Sequence, residues 1–243
     1  ATLAPDFAAL ERAITPRTKG IIVNSPNNPS GTVYSLDILE KICSLLTAKS
    51  KEFGTHIVLI ADEPYRDLVY GDVEVPYLMN LYPDTVVCMS YSKSLSLPGE
   101  RIGYIAVSPE MHEGAGVYAA ICGAGRALGY VCAPSLFQRV VAKCVEAKPD
   151  LAAYERNRNL IYDSLTEMGY DCVRPDGAFY LFVKALEPDA NAFADRAKEL
   201  GLLIVPGDSF GAKGYVRISY CVSYDMIKRS LPAFRELIDS YKK

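Results

Sequence analysis

Hydrophobic and polar positions divide the chain into two textures. Up to Val107, short unbroken apolar runs are separated by polar, turn-forming segments. Lys19 to Val23, Ile57 to Ala61, Thr85 to Met89 and Ile102 to Val107 are the four runs. None shows the period-two alternation of a half-exposed strand, so each predicts a buried strand. Phe7 to Ile14 reads as a short helix. Ser35 is placed to cap a helix running to about Phe53, with Gly54 as its stop. Two of the intervals between strands carry helical or helix-compatible segments. That pattern predicts a mainly parallel sheet covered on both faces.

Beyond Val107 helical periods dominate. Glu110 to about Arg126 is rich in alanine and glycine and predicts a close-packed helix. Pro134 to Ala147 predicts a second, and Leu151 to Met168 a long third that ends at Gly169. Lys148-Pro149-Asp150 breaks the pattern between them. Ala178 to Val183, Leu202 to Val205 and Val216 to Cys221 read as strands. Ala192 to Leu200 and Tyr224 to Tyr241 read as helices. The fold class is therefore α/β, a mainly parallel sheet with flanking helices over residues 1–149, followed by a smaller α+β domain over 150–243. The sequence shows no internal repeat and no low-complexity segment.

Composition narrows the function classes. The chain has 243 residues, half of them hydrophobic and 23% charged, which suits a globular protein with a sizeable core. A net charge of −3 gives no general electrostatic reason to expect nucleic-acid binding. No apolar run approaches a membrane span, and no signal-peptide pattern opens the sequence. Seven scattered cysteines without metal-type spacing suggest reduced thiols in a cytoplasmic setting. Two histidines, His56 and His112, argue against a histidine-rich metal site, and no metal is expected.

The chemistry gathers at strand ends, where open parallel sheets bind ligands. The densest segment is Ser90-Tyr91-Ser92-Lys93-Ser94-Leu95-Ser96-Leu97-Pro98-Gly99-Glu100-Arg101-Ile102-Gly103. One lysine stands among hydroxyls, and an arginine follows eight residues later. An amine can bond an aldehyde covalently while hydroxyls and a guanidinium grip a phosphate. Asn28-Pro29-Ser30-Gly31 follows the first strand and, taken alone, reads as a turn. Asp62-Glu63-Pro64-Tyr65 follows the second strand. Its first carboxylate must be paired or hydrogen-bonded, and suits a helix cap as readily as a ligand contact. Arg217, in the apolar run Tyr215 to Tyr220, needs a partner or an edge position that reaches water.

The lysine segment resembles the lysine motif of class I/II pyridoxal-phosphate aminotransferases and matches it at every constrained position. The resemblance implies pyridoxal 5′-phosphate (PLP) as cofactor, with Lys93 forming the internal imine and then acting as the proton-transferring base. It implies that Asp62 pairs with the pyridine nitrogen and that Asn28 and Tyr65 hydrogen-bond the ring oxygen. Ser90 and Arg101 bind phosphate in this picture, with Ser92 a further contact. Arg217 takes the substrate carboxylate, Glu63 is a structural neighbour, and Pro175 to Tyr180 is a turn and core strand. Ser25-Pro26 and Asn28-Pro29 are candidate cis bonds. Arg126 stands at loose spacing for a second carboxylate-binding arginine and is expected to face solvent.

The resemblance further implies a homodimer that moves an amino group from an amino acid to a 2-oxo acid, without membrane or nucleic-acid partners. A PLP-dependent carbon–sulfur lyase on the same scaffold, or a non-catalytic aminotransferase-like PLP-binding domain, carries the same motifs. The Asn-Pro motif stands very early in the sequence. The chain is therefore expected to be the C-terminal portion of such an enzyme, an incomplete catalyst with exposed sheet edges and an uncovered core face.

Overall fold

The first sheet of the computed structural model, which describes residues 3–242, joins strands in their order along the chain. These are β1 (Gly20–Asn24), β2 (Val58–Asp62), β3 (Thr85–Ser90) and β4 (Gly103–Val107). β1, β2 and β3 pair in parallel, and β4 runs antiparallel against β3. A parallel pair needs a crossover, and α2 (Leu36–Phe53) supplies the one from β1 to β2. Leu39, Ile42, Cys43 and Leu46 form its buried stripe at helical spacing. They pack with Leu59, Ala61 and Val87 of the sheet, while α1 (Phe7–Ala13) lays Phe7 and Leu10 on the same core. Gly54 ends α2 in the left-handed conformation, φ 62°. Ser35 occupies the N-cap position but its hydroxyl makes no capping bond. Asp37 in the first turn provides the charge that favours a helix N-terminus instead.

Burial departs from expectation on the far side of this sheet. Tyr104 and Ile105 of β4 are half exposed and Ile22 of β1 is 68% exposed, so the sheet is not covered on both faces by the described residues. β4 is an edge strand with one neighbour, and the helices beyond it cover little. α4 (Gly114–Ala127) buries no side chain, and α5 (Ser135–Cys144) buries only Val141. The alanine- and glycine-rich helix therefore forms as read but is not close-packed. Small residues permit close approach only where another element faces them.

The second sheet contains β5 (Cys172–Val173), β6 (Tyr180–Lys184), β7 (Val205–Pro206) and β8 (Tyr215–Ser219). Their order is β5-β6-β8-β7 and every pairing is antiparallel. α6 (Leu151–Met168), α7 (Ala190–Glu199) and α8 (Tyr224–Ser240) pack with it. The run Leu202 to Val205 pairs only at its end, where Val205 and Pro206 lie opposite Arg217 and Val216. Leu165, Leu181, Val183, Val216 and Leu237 are essentially inaccessible. Tyr65, Leu68 and Tyr70, from the turn after β2, belong to this second core. No helix among the described residues is long and apolar enough to cross a membrane.

Two contacts seat the loop after β1. The Gly31 carbonyl accepts the backbone N–H groups of Asp176 and Gly177. Gly31 itself has φ 70°, and a Cβ there would lie 2.3 Å from Pro175. Only glycine meets both demands. Ser25-Pro26 and Asn28-Pro29 are both cis, as read from the sequence.

Candidate functional site

The parallel register brings the polar strand ends together. Asn24 lies opposite Asp62, and Asp62 opposite Cys88, two residues before Ser90. The Asn24 side-chain amide donates to Asp62 Oδ2 and to the Asp62 carbonyl, both at 3.0 Å. Its Oδ1 accepts the Asn28 backbone N–H at 2.7 Å. Asn27 fixes the loop from within, its Oδ1 accepting from both the N–H and the hydroxyl of Ser30.

Asn28 in turn reaches the second sheet. Its Oδ1 accepts from Arg217 Nη1 at 2.8 Å, across 189 residues of sequence. The Arg217 guanidinium lies over the rings of Tyr180 and Phe210, 4.4 and 4.7 Å from their centroids. An arginine in an apolar strand is thus accommodated by an amide oxygen and two aromatic faces. No carboxylate lies within ion-pair distance of it among the described residues.

Lys93 sits in α3 (Tyr91–Ser94), a single helical turn absent from the sequence reading. Ser90 opens the turn, its hydroxyl accepting the Ser92 N–H at 3.1 Å and donating to the Ser92 hydroxyl at 2.7 Å. The turn aims the Lys93 ammonium at Phe179 and Tyr65, 5.3 and 5.8 Å from their centroids. The Tyr65 hydroxyl lies 3.3 Å from that of Tyr180. Lys93, Tyr65, Tyr180, Arg217, Asn28 and Asp62 therefore share one neighbourhood. Arg101 is less integrated. It is exposed, and its Nη1 donates to the Pro98 carbonyl at 2.7 Å. No described hydrogen bond joins Arg101 to Ser90 or Lys93. Gly103, which follows, lets β4 approach closely: a Cβ there would fall 2.3 Å from the Met89 carbonyl.

Burial sets the electrostatics. It raises the Asp62 carboxyl above the ordinary carboxylate range; the Asn24 hydrogen bond opposes this and the Glu63 charge adds to it. No cation forms an ion pair with Asp62 among the described residues. Burial also raises the Tyr65 phenol, with the Tyr180 hydroxyl adding to the shift and Arg217 opposing it. Glu63 is engaged elsewhere, accepting from Arg66 Nε at 2.6 Å and Nη2 at 3.0 Å. Arg66 also holds the Val75 and Pro76 carbonyls and stacks on Tyr77. Arg126 faces solvent.

Two residues of this network escaped the sequence reading. Asn24 was the polar residue closing the first strand, and its signal was its position level with Asp62 in a parallel pair. Tyr180 read as core, which it is; β6 is buried over four successive residues, so no alternation marked the ring that faces Tyr65 and Arg217.

The chain matches the family model for aminotransferase class I and II over residues 1–234. It is 32% identical over 237 residues to the aspartate/prephenate aminotransferase of Thermus thermophilus, covering 96% of this chain and 60% of that protein. With aromatic-amino-acid aminotransferase 2 of Thermococcus litoralis it shares 30% over 248 residues, again 96% and 60% of the two. A crystal structure of an amino transferase from Eubacterium rectale matches with a TM-score of 0.95 at 58% identity, covering 99% of this chain and 60% of that one. The aspartate aminotransferase of Thermotoga maritima matches with a TM-score of 0.83 at 29% identity, 97% and 60% covered. The chain thus spans about 60% of the length of these relatives. Matched by the family model along nearly all its length, the chain belongs to the aminotransferase class I and II family.

Proposed function

We propose that this chain carries the active site of a PLP-dependent aminotransferase, which moves an amino group from an amino acid to a 2-oxo acid. One observation carries the reading. Lys93, in the turn after β3, and Asp62, at the end of the adjacent β2, share with Asn28, Tyr65 and Arg217 the neighbourhood at the ends of the parallel strands.

The residues fit the cofactor. PLP presents an aldehyde, a basic ring nitrogen, a ring hydroxyl and a phosphate. Asp62 is the sharpest test, being a half-buried carboxylate with only a neutral amide donor beside it. A ring cation seated against it would offset the burial that raises it. Lys93 would supply the amine, Asn28 and Tyr65 would hydrogen-bond the ring hydroxyl, and Ser90, Ser92 and Arg101 would supply phosphate donors.

When bound, PLP supplies the electron sink for the bond broken at the substrate α-carbon. Asp62 keeps the proton on the ring nitrogen. Asn28 accepts from Arg217 with its oxygen, which leaves its NH₂ group to donate. Tyr65 would donate from a phenol that burial and the Tyr180 hydroxyl keep neutral. Lys93 would supply the amine that holds the cofactor's aldehyde, and its free amine would serve as the general base for the substrate α-proton. Arg217 keeps donors beyond Nη1, and its planar fork suits a carboxylate.

The same reading takes residues 1–149 as the cofactor-binding domain and 150–243 as the smaller domain. It also takes the protein as a cytoplasmic homodimer. Seven free cysteines suit a reducing compartment. Tyr118, Leu128, Tyr130 and Val131, all strongly exposed, offer an apolar face for a second subunit.

The test is chemical. Full-length protein loaded with PLP is reduced with borohydride and mapped by peptide. The pyridoxyl label is expected on Lys93, and an amino-donor screen against 2-oxo acids is expected to show transamination. A label on another lysine, with Lys93 unmodified, would falsify the assignment.

A further inference from the structure

We propose that Asn24 is a positioning residue that couples the cofactor-nitrogen carboxylate to the substrate-carboxylate arginine. This inference rests on the aminotransferase reading of the site. Its basis is a run of bonds through the side chains of Asn24 and Asn28. Asn24 Nδ2 donates to Asp62 Oδ2 at 3.0 Å, Asn24 Oδ1 accepts the Asn28 N–H at 2.7 Å, and Asn28 Oδ1 accepts from Arg217 Nη1 at 2.8 Å. Asn24 is the sole member that touches both the Asp62 strand end and the Asn28 loop. A side-chain amide is the group that fits, because it must donate on one side and accept on the other.

Two consequences follow for the fold. The second Asn24 donor contact, to the Asp62 carbonyl, locks the backbone at the end of β2, so the carboxylate is aimed by both its main chain and its side chain. The acceptor contact fixes the backbone of Asn28, whose amide oxygen is the anchor of Arg217. Movement of Arg217 on binding a substrate is therefore transmitted to Asp62 through Asn24. The titratable groups facing Asp62 are Glu63 beside it, Tyr65 on the following turn and Cys88 on β3. None of them makes a hydrogen bond to its side chain. The Asn24 amide is the described donor that favours the charged carboxylate.

Two variants test this in the full-length protein. Asn24→Ala removes donor and acceptor. Asn24→Asp is isosteric and keeps the acceptor for the Asn28 N–H, but replaces the donor with a second carboxylate. PLP affinity is followed by absorbance titration across pH, and amino-donor affinity by spectral change at saturating PLP. Each variant should bind PLP about tenfold or more weakly at neutral pH, the size of a lost hydrogen bond to a charged group. In each, the acid-side loss of PLP affinity should begin at higher pH, because an unassisted or repelled carboxylate protonates earlier. Amino-donor affinity should fall in Asn24→Ala and hold better in Asn24→Asp, which retains the link to Asn28. If Asn24→Ala does not fold, the isosteric variant alone decides. A purely structural asparagine would lower the unfolding midpoint and leave the pH profile of PLP binding in place. That result, with parent-like PLP affinity in the folded variants, overturns the proposal alone. Failure of the unmodified protein to take up PLP overturns the aminotransferase reading and this inference with it.

Discussion

The two halves of the strand-end site are tied together in opposite ways. On the Asp62 side the bonds span the fold: Asn24 to Asp62 across 38 residues and Asn28 to Arg217 across 189. On the Lys93 side they stay local. Ser90 bonds Ser92, and Arg101 bonds Pro98, each within three residues. The first half must hold a carboxylate and a guanidinium at fixed places on separate sheets, which only tertiary contacts can do. The second half needs a lysine on a short rigid turn and donors near it, which local hydrogen bonds can supply. Substitutions on the first half should therefore couple to one another, and those on the second should act singly.

The largest effect is expected on the local half, at Lys93. Lys93→Ala removes the amine that faces Tyr65 and Phe179. Transamination should fall by at least roughly 10²–10⁴-fold, the usual contribution of a positioned base. Borohydride labelling of the Lys93 peptide should vanish, while urea unfolding midpoints stay near the parent's. Retained turnover would remove Lys93 from the chemistry. Asp62→Asn comes next, with an expected loss of about 2–4 kcal/mol in transition-state stabilisation, read from kcat/KM. Near-normal turnover in that variant would remove the charge from the mechanism.

Coupling then separates the halves directly. Arg217→Lys keeps the charge but loses the planar fork. Combined with Asn28→Ala in a double-mutant cycle on amino-donor affinity, it should show an interaction of about 0.5–3 kcal/mol, as contacting residues do. Ser90→Ala combined with Asn28→Ala, scored on unfolding midpoints without PLP, should instead add within about 0.5 kcal/mol. Additivity in the first cycle, or strong coupling in the second, would erase the contrast between long-range and local construction.

What the sequence made legible follows the same division. The Lys93 half is written in consecutive residues, so Ser90, Ser92, Lys93 and Arg101 could be named from one segment. The turn that carries Lys93 could not, because four residues are too few to show a period. On the Asp62 half, Asp62, Asn28 and Arg217 were found separately, each as an isolated polar residue in an apolar setting. The links between them were hidden, since they depend on strand register and on the packing of Pro175 against Gly31. Strands and long helices were legible because their apolar patterns are strong. The exposure of β4 and α4 was not, because an apolar residue is the same letter whether or not another element lies over it. β6 and β4 have similarly apolar sequences, yet one is buried over four residues and the other has three exposed in succession.

The smallest expected effect concerns stability, and it sharpens the comparison from the side of electrostatics. On the long-range half the Asp62 carboxylate is partly buried with no cation paired to it among the described residues, whereas Arg101 of the local half is exposed. Burial raises the Asp62 carboxyl on folding. A carboxyl raised in this way contributes its stability in full below the ordinary carboxylate value near 3.8, and loses it as the pH climbs through the raised value. Asp62→Asn carries no charge at any pH and escapes that loss. Without PLP, the variant and the parent should therefore differ least at low pH, and the balance should shift in favour of the variant as the pH rises to neutrality. Half exposure lets water screen the charge, so the shift should be under about 1 kcal/mol. Arg101→Ala, on the exposed local half, should show no such trend. Unfolding midpoints of the PLP-free proteins between acid and neutral pH measure both. A shift of the opposite sign would show that the Asn24 hydrogen bond outweighs burial, and that Asp62 is already satisfied before any ring cation reaches it.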